Sequence, residues 1–593
     1  MNDQLAKLQQ QLKRAPDDPE LHYELGRYYL QNKQASAAET AFQRALQLVP
    51  EHPQILMQLG NAASLQGNEA LAATFFRRSL AQDNGQADVH FNLANSLRKL
   101  GQTALAIQHY QQSLRLDPHD AECHNNLGNA YREQGLLDQA VAAYARALQL
   151  NPNLLHAKVH WIHQKQHMAD WQGLEPAITE VRDALQSMPQ AQIPPFAFLA
   201  MPGTTDQEQL ACASRWAQQH YAHIQPLSAP AAKSAGDRIK LAYLSSDFRK
   251  HPLAYLVTEV IAAHQRDQFE VVLYSNSKND QSAEWQAFHA TADHWIEISD
   301  MTDEAVAQHM RAADIDLLVD LTGFTQRSRS GVAAYKPARK HINWLGYPGS
   351  MGMVNGRPLY DAIVVDATLA EVALAEQKIR LPCYQPNNAR RPVADPGSRQ
   401  SHGLPVQSFV FCCFNQSFKI TPEVFACWMR ILKQVPDSVL WLLESNAWAA
   451  KHLRNAAISH GVAPERLIFA PRTSIEQHIA RQQHADLMLD TAPYNAHTTA
   501  SDALWQGIPL LTVQGATFPA RVSASLLKQI GLDDCICQDW HVLEQHAVIL
   551  AQSPSMLASI KLRLQNNASK LFSPESFCRQ LEHAYAQLLL SAG

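Results

Sequence analysis

The chain has 593 residues, of which 46% are hydrophobic, and a formal net charge of −5 at pH 7. That length exceeds a single domain and predicts three or four folding units with apolar cores of ordinary size. The sequence contains no long basic run, and no apolar stretch approaches the roughly 18 residues of a membrane helix, so we expect neither nucleic acid nor a membrane as a partner.

Cysteine usage and the first residues bear on the compartment. The nine cysteines are scattered and form no C-x-x-C pair. The first residues, Met1 to Gln4, are polar and do not start the apolar core of a signal peptide. Both features predict a reduced, cytoplasmic setting without a structural zinc.

A 34-residue period runs through the first part of the chain. Leucines recur at this spacing, each followed by a small residue: Leu25, Leu59, Leu93 and Leu127, with Gly26, Gly60, Ala94 and Gly128. This is the period of tetratricopeptide repeats, in which each repeat is a pair of helices and small residues lie where the helices touch. We therefore predict an all-α superhelix over residues 1–156.

Asparagines recur in the same phase as the repeats. Asn92 and Asn126 form one row, and Asn95 and Asn129 form a second. On the concave face of a superhelix, such amides can hold the backbone of an extended peptide without reading its side chains. We predict a protein-binding arm; the alternative is that these amides are merely solvated.

Residues 157–236 lose the period but keep helical patterns, and we interpret them as a helical bridge. Trp161, Trp171 and Trp216 predict packed helices in this part of the chain. The small residues of 228–236 predict a flexible domain boundary.

Strand and helix patterns alternate from residue 237 onward. This alternation predicts two doubly wound parallel sheets, over residues 237–395 and 396–540, with the helices of residues 541–593 packing back on them. Two such domains in sequence usually bind a ligand in the cleft between them, as in the glycosyltransferase-B architecture and in other folds with two Rossmann-like domains. The predicted fold is thus multidomain, an all-α repeat superhelix followed by an α/β pair of Rossmann-like domains.

One histidine in the first of these domains is placed for acid–base chemistry. His251 follows Asp247 by four residues, in a polar turn after the predicted strand 239–244. Ligands bind at the carboxyl ends of parallel strands, so this position favours a functional role over a purely structural one.

A second polar turn has the form of a phosphate site. The apolar run 487–489 predicts a buried strand, and a helix is predicted to begin at Thr498 and Thr499. The free amides and dipole of a helix N-terminus attract anions, and His497 and the two hydroxyls would add donors. Asp502, one turn further on, could accept hydrogen bonds from sugar hydroxyls. An ordinary capped helix is the alternative.

The sequence favours no dinucleotide site and no metal. No G-x-G-x-x-G motif follows a strand, and no P-loop occurs. The Asp-x-Asp sequence of Asp314 and Asp316 enters its strand at the amino end, away from bound ligands. We therefore expect protein groups, chiefly Lys419 and the helix N-terminus at Thr498, to neutralise a diphosphate without a metal or other cofactor.

Several motifs together resemble a known family. After the repeats come S-S-D-F-x-x-H-P, W-L-G-Y-P-G, F-N-Q-x-x-K-I, V-L-W-L-L and H-T-T-x-x-D-x-L-W-x-G-x-P. Over nearly the whole chain the sequence resembles the O-linked N-acetylglucosamine transferases (glycosyltransferase family 41), which include the plant SPINDLY proteins. The resemblance implies an inverting, metal-independent enzyme that moves N-acetylglucosamine from UDP-GlcNAc to Ser or Thr of proteins held by the repeats.

The resemblance also implies roles for single residues. Lys419 would contact the β-phosphate, and His251 would be the general base beside Asp247, unless the α-phosphate takes the proton. The implied nucleotide-sugar residues are Gln416 near the phosphates, His497, Thr498 and Thr499 on the diphosphate, Asp502 on the ribose, His478 and Arg481 by the uracil, and Leu345, Gly346, Tyr347 and Pro348 around the sugar.

Three positions depart from the animal enzymes of this family. Phe196 stands where they have a histidine in the bridge helices, Tyr494 where they have a cysteine near the N-acetyl group, and Ile475 where they have a lysine three residues before the position of His478. The bulk of Tyr494 leaves room for another donor, such as GDP-fucose in a SPINDLY-like transferase. A repeat scaffold with an inactive transferase half is the third reading.

Overall fold

The computed structural model describes residues 2–230 and 236–590, and it divides into two compact units, Met1–Gln164 and Lys165–Gly593. The segment 228–236, predicted as a domain boundary, includes residues 231–235, which lie outside the described residues. Within those residues, no helix combines the length and the apolar character needed to cross a bilayer.

The first unit consists of helix pairs that follow the 34-residue period. Its helices are α1 (Asn2–Arg14), α2 (Pro19–Gln31), α3 (Ala35–Leu48), α4 (Pro53–Leu65), α5 (Glu69–Gln82), α6 (Ala87–Lys99), α7 (Thr103–Leu116), α8 (Ala121–Glu133), α9 (Leu137–Leu150) and the start of α10 (Leu155–His167). A Cβ atom on Gly60 would lie 2.4 Å from the ring of Phe76, and one on Gly128 would lie 2.7 Å from that of Tyr144. The two glycines therefore let paired helices pack closely, which confirms the repeat prediction.

The second unit opens with the helices of the bridge. These are the end of α10, followed by α11 (Leu174–Ser187), α12 (Pro195–Leu199) and α13 (Asp206–Tyr221). A capping box starts α13, because the Thr205 hydroxyl accepts from the Glu208 amide and the Glu208 carboxylate accepts from the Thr205 amide.

A seven-stranded parallel sheet follows, with its strands in the order β3-β2-β1-β4-β5-β8-β9. Its strands are β1 (Ile239–Ser245), β2 (Phe269–Ser275), β3 (His294–Glu297), β4 (Leu317–Asp320), β5 (Lys340–Asn343), β8 (Ala362–Val365) and β9 (Gln377–Arg380). The helices are α14 (Ala254–Ala262), α15 (Ala283–Thr291), α16 (Asp303–Ala312) and α17 (Gly331–Ala334), and β6 (Met353–Val354) pairs with β7 (Arg357–Pro358) as a small hairpin.

A second parallel sheet has six strands in the order β12-β11-β10-β13-β14-β15. The strands are β10 (Phe409–Cys413), β11 (Ser438–Leu443), β12 (Leu467–Ala470), β13 (Leu487–Leu489), β14 (Leu510–Val513) and β15 (Ile536–Cys537). The helices are α18 (Pro422–Gln434), α19 (Ala447–Ser459), α20 (Ile475–Arg481), α21 (Thr498–Trp505) and α22 (Val522–Gln529). The predicted pair of α/β domains after the repeats is confirmed.

Three further helices end the described chain: α23 (Trp540–Gln552), α24 (Pro554–Asn567) and α25 (Pro574–Leu590). Helix α23 stays with the second sheet, since Glu544 accepts hydrogen bonds from Arg430 and Gln434 of α18, at 2.6 Å each. Helix α25 returns to the first sheet, where Leu581 and Tyr585 join its buried core.

The strand orders fix where a ligand can bind. In the first sheet, the chain adds β2 and β3 on one side of β1 and then crosses to add β4 on the other side. In the second sheet, it likewise adds β11 and β12 on one side of β10 and β13 on the other. Crevices open at the carboxyl ends of strands at such points. The turn that carries His251 follows β1, and those that carry Lys419 and His497 follow β10 and β13.

Candidate functional site

Lys419 lies in the loop that leaves the carboxyl end of β10. Its last part, Ser417–Lys419, is a single turn of 3-10 helix. The bridge holds this turn from outside, because the Ser417 hydroxyl donates to the carbonyl of His167 (2.6 Å) and the Trp171 indole donates to the carbonyl of Ile420 (3.1 Å). Both ends of the turn are thus fixed, which orients the lysine between them.

The Lys419 side chain is half-buried and packs against the turn that follows β13. Its Nζ donates to the carbonyl of Asn495 at 2.8 Å and lies 4.0 Å from the ring centroid of Tyr494. Burial lowers the pKa of Lys419 to about 8, while the nearby Asp490 carboxylate acts in the opposite direction. A bound anion would favour the charged form, so the lysine is suited to receive negative charge.

A carboxylate missed by the sequence reasoning shapes this turn. Asp490 is fully buried and accepts from the amides of Thr491 and Ala496, each at 2.7 Å. It also accepts from the Thr512 hydroxyl at 2.7 Å. These bonds fold the chain back after β13 so that α21 begins beside Lys419.

The donors expected from His497 and Thr499 are already in use. His497 Nε2 lies 3.1 Å from the carbonyl of Pro519, an acceptor only, so this nitrogen carries the proton of the ring. Burial and the Lys419 amine hold the pKa of His497 well below its usual range. Thr499 donates its hydroxyl to Asn415 Oδ1. The prediction that both side chains donate to a diphosphate stays a prediction, and it requires that these two internal hydrogen bonds be exchanged for bonds to the phosphates.

The start of α21 itself keeps the features of an anion site. His497 is the N-cap residue, yet its side chain makes no capping hydrogen bond. The first amides of a helix have no intrahelical acceptor, so the donors that remain are backbone groups at Thr498 and Thr499. The half-buried Thr498 lies at the first helical position.

Asp502, predicted to bind the ribose, faces an arginine that the sequence reasoning missed. Arg391 lies in the segment between the two sheets, and its Nη1 is 3.2 Å from Asp502 Oδ1, with 0% and 5% of the two side chains exposed. The two atoms are close enough for an ion pair but do not have the geometry of a hydrogen bond. Asp502 Oδ1, Arg391 Nη1 and Arg391 Nε therefore have no hydrogen-bond partner. Burial raises the pKa of Asp502, while Arg391 opposes that shift. The pair joins the interdomain segment to α21.

His478 and Arg481, predicted to lie by the uracil, form a fixed pair on α20. Arg481 Nη2 donates to His478 Nδ1 at 2.9 Å, and Arg481 Nη1 donates to the carbonyl of Pro471 at 2.8 Å. Burial, with the positive charge of Arg481, lowers the pKa of His478 to about 4. The ring is therefore neutral, packed edge-on against Phe414, and presents its Nε2–H. Gln416 accepts from Arg472 at 3.2 Å.

The turn at Leu345, predicted to line the sugar pocket, follows β5. Leu345 has a φ of +68°, and a Cβ on Gly346 would lie 2.2 Å from the carbonyl oxygen of Leu321. Only glycine allows this close approach. Tyr347 and Pro348 are buried, so the turn exposes Leu345 and Gly346.

Two of the departures from the animal enzymes lie near one another. The ring centroids of Phe196 and Tyr494 are 6.3 Å apart, and Phe418 is 6.0 Å from Tyr494. Tyr347 and Tyr494 belong to one buried cluster, against which Phe196 packs. Aromatic rings from the bridge and from both sheets therefore wall the space beside Lys419. Ile475 is the first residue of α20.

The turn after β1 is more open. His251 Nε2 lies 3.8 Å from Asp247 Oδ1, with 38% and 16% of the two side chains exposed. The Leu253 amide donates to His251 Nδ1 at 3.3 Å, which places the proton of the neutral ring on Nε2. Burial lowers the pKa of His251, although Asp247 raises it. In this arrangement, the Nε2 atom that faces Asp247 carries the hydrogen of the ring and acts as a donor. It has no free lone pair with which to accept a proton.

In the first unit, the predicted asparagine rows are linked by hydrogen bonds. Asn92 donates to Asn61 and Asn126 donates to Asn95, each at 3.1 Å. Tyr144 donates its hydroxyl to Asn129 at 2.9 Å. These half-buried amides form a ladder along α4, α6 and α8 and are not merely solvated.

The fold and the site define a class of protein. Two doubly wound domains whose strand-end turns bring a half-buried lysine to a helix N-terminus have the architecture of a B-type glycosyltransferase. The family comparison gives the particular group. The model of glycosyl transferase family 41 matches residues 181–389 and 392–581, well over half of the chain, so the chain belongs to this family. A tetratricopeptide repeat model matches residues 91–154.

Curated relatives agree with this assignment. The chain is 33% identical over 391 residues to the probable UDP-N-acetylglucosamine–peptide N-acetylglucosaminyltransferase SEC of Arabidopsis thaliana, covering 63% of this chain and 39% of that protein. It is 29% identical over 368 residues to the probable enzyme SPINDLY of Solanum lycopersicum, covering 59% and 38%. The chain thus spans less than half the length of either relative.

A solved structure shares the fold. An O-GlcNAc transferase mutant of Thermobaculum terrenum aligns with 96% of this chain and 97% of its own, at a TM-score of 0.63 and 24% identity. The resemblance inferred from the motifs is confirmed at the level of family and fold.

Proposed function

We propose that this chain is an inverting protein O-glycosyltransferase that moves N-acetylglucosamine from UDP-GlcNAc to Ser or Thr of proteins bound by its repeats. The observation that carries the proposal is the half-buried Lys419 beside the start of α21, where two strand-end turns meet. A desolvated lysine is stable there when an anion accompanies it. The relatives SEC and SPINDLY are named as probable UDP-N-acetylglucosamine–peptide N-acetylglucosaminyltransferases, which supports this donor and this acceptor.

The donor would lie across the carboxyl ends of the second sheet. The amides at Thr498 and Thr499 and the Lys419 amine would receive the diphosphate. The neutral His478 and Arg481 would contact the base. Asp502 would reach a ribose hydroxyl through a small shift, because its Oδ1 lacks a hydrogen bond to Arg391.

In the reaction, the acceptor hydroxyl oxygen attacks C1 of the sugar while the bond from C1 to the β-phosphate oxygen breaks. The negative charge that develops on departing UDP is met by Lys419 and the helix dipole. The hydroxyl proton passes to His251 or to a phosphate oxygen of the donor. For His251 to accept it at Nε2, the ring must first move its own proton to Nδ1 and give up the contact with Leu253.

The proposed reaction uses no metal. The Asp-x-Asp sequence is committed elsewhere, since Asp316 binds Arg339 at 2.6 Å and Asp314 binds the same arginine at 3.0 Å. Lys419 and the helix N-terminus supply the positive charge that a divalent ion would otherwise bring.

A second candidate is a transferase of the same kind with another donor, such as GDP-fucose. The observation in its favour is the aromatic wall of Phe196, Phe418 and Tyr494, which takes up space beside Lys419. Ring faces accommodate a sugar, but they reduce the room for an N-acetyl group.

Calorimetric titration with UDP, UDP-GlcNAc, UDP-Glc, GDP and GDP-fucose, each with and without EDTA, tests the proposal. We expect UDP and UDP-GlcNAc to bind most tightly and EDTA to leave both affinities unchanged. A preference for GDP would favour the second candidate. Binding of none of the five would contradict both and indicate a repeat scaffold with an inactive transferase half.

A further inference from the structure

A buried cluster of metal-ligand types lies far from the candidate site. His264 follows α14, and Cys578 and Glu582 stand four residues apart on α25. Helix α14 runs from the carboxyl end of β1 toward the amino end of β2, so His264 lies at the sheet edge opposite His251. The cluster therefore has no part in the proposed transfer reaction.

We propose that His264, Cys578 and Glu582 bind a structural zinc ion that fastens α25 to the first sheet. Sulfur, imidazole nitrogen and carboxylate oxygen are the ligands that Zn²⁺ takes in proteins. Within the described residues these three ligand atoms lie within 4.8 Å of one another, and all three residues are buried.

The distances suit a shared ion. His264 Nδ1 is 3.4 Å from Cys578 Sγ and 3.0 Å from Glu582 Oε1. Tetrahedral zinc with ordinary bond lengths would place nitrogen and sulfur roughly 3.5 Å apart and nitrogen and oxygen roughly 3.3 Å apart. The third pair, Cys578 Sγ and Glu582 Oε1, lies within 4.8 Å, so these two atoms would move closer together on binding the ion. A water molecule would complete four ligands.

The surrounding groups orient the ligands. Tyr243 OH lies 2.8 Å from His264 Nε2, so a ring that bound metal through Nδ1 would donate its other N–H to this hydroxyl. The Gln265 amide donates to Glu582 Oε1 at 2.8 Å. Such partners of ligand atoms are typical of metal sites.

Arg579 is the group that competes with the ion. Its guanidinium lies 2.6 Å from Glu582 Oε2 and 3.7 Å from Cys578 Sγ. It holds the outer carboxylate oxygen and leaves Oε1 facing His264. The Cys578 thiolate and the Glu582 carboxylate together balance the two positive charges of Zn²⁺. The positive charge of Arg579 then remains, and 37% of that side chain is exposed to water. On binding, the Cys578 thiol loses its proton to solvent.

The test is zinc content of the full chain, purified without chelator and passed through a desalting column. We expect about one zinc per chain in the wild type and in Cys427→Ser, a matched change at another fully buried cysteine. Cys578→Ser should lose the metal. Zinc that is absent from folded wild type, or that Cys578→Ser retains, would overturn the proposal, the latter by showing adventitious binding.

A second measurement, on the wild type, tests the site even if Cys578→Ser does not fold. Wild type in which Co²⁺ replaces zinc should show a thiolate-to-cobalt charge-transfer band in the near ultraviolet, and a spectrum without it would overturn the site. Chelation should lower the midpoint of thermal unfolding but leave UDP affinity unchanged below that temperature. Loss of UDP affinity on chelation would count against the metal-free donor site instead.

Discussion

The turns at the strand ends of the two sheets differ in how they hold their charged groups. At the second sheet, Asp502 is buried and Lys419 is half-buried, and desolvation shifts the pKa values of both. At the first sheet, Asp247 and His251 are partly exposed, and their contact of 3.8 Å is longer than a hydrogen bond. The charged groups of the second site are therefore held by closer internal contacts than those of the first.

This difference fits the two substrates that we propose. A nucleotide diphosphate has one shape and one charge pattern, so a preorganised, water-poor site binds it and stabilises its charge in the transition state. Acceptor proteins vary in sequence and bring their own surfaces, so an open turn accommodates them. Removing a charged side chain should therefore reduce turnover or stability strongly at the second sheet and more modestly at the first.

The largest expected effect is that of Lys419→Met. The change keeps the length of the side chain but removes the charge that meets the leaving phosphate, so turnover should fall by about 10² to 10³-fold or more. Steady-state transfer kinetics measure this, and Lys433→Met, at an exposed lysine of α18, is the control. Full activity of Lys419→Met would contradict the phosphate role.

Arg391→Met should cause the next largest change, in stability. It leaves Asp502 as a buried charge without its partner, which costs about 3–5 kcal/mol. Its neighbour Arg390 is 88% exposed and pairs with Glu259, so Arg390→Met should cost about 0–1 kcal/mol. Urea unfolding compares the two. Equal effects would show that the Arg391 pair does not join the interdomain segment to α21.

His251→Ala should reduce turnover by roughly 10²-fold, the lower end for a general base, because the ring must change its protonated nitrogen before it accepts a proton. The fold and the UDP affinity should be retained. Single-turnover transfer with saturating donor measures the chemical step. Unchanged turnover would assign the proton to a phosphate oxygen.

The smallest effect is the pH dependence. Because the folded pKa of Lys419 is lowered to about 8, the charged amine predominates below that pH and is lost as the pH rises through it. The ratio kcat/KM should thus fall about tenfold per pH unit above 8. In Lys419→Arg, whose charge does not titrate in this range, the decline should move to higher pH. A decline at the same pH in both proteins would assign it to another group.

The repeats and the alternation of strands and helices could be predicted from the sequence because both are local patterns, whereas the order of the strands within each sheet was not predicted. The 34-residue period places Gly60 and Gly128 where helices touch, and the alternation of strands and helices places Lys419 at a strand end. Sequence reasoning therefore identified the elements that carry the site.

The partners within the site could not be predicted, because they come from distant parts of the chain. Nothing near Asp502 in sequence indicates Arg391, and nothing in the apolar bridge indicates that Phe196 lies near Tyr494. The use of His497 and Thr499 as internal donors depends on Pro519 and Asn415, which the fold brings to them. The absence of a C-x-x-C pair led the sequence reasoning to expect no structural zinc, whereas Cys578 and His264 of the proposed zinc site are 314 residues apart.

The most direct test of the central claim compares UDP with UMP by calorimetry, in EDTA, for wild type and Lys419→Met. If Lys419 and the start of α21 receive the β-phosphate without a metal, wild type should bind UDP at least about tenfold more tightly than UMP, or about 1.4 kcal/mol. Lys419→Met should lose most of that preference while its UMP affinity changes little. The same preference in both proteins, or its loss in wild type on adding EDTA, would contradict the account.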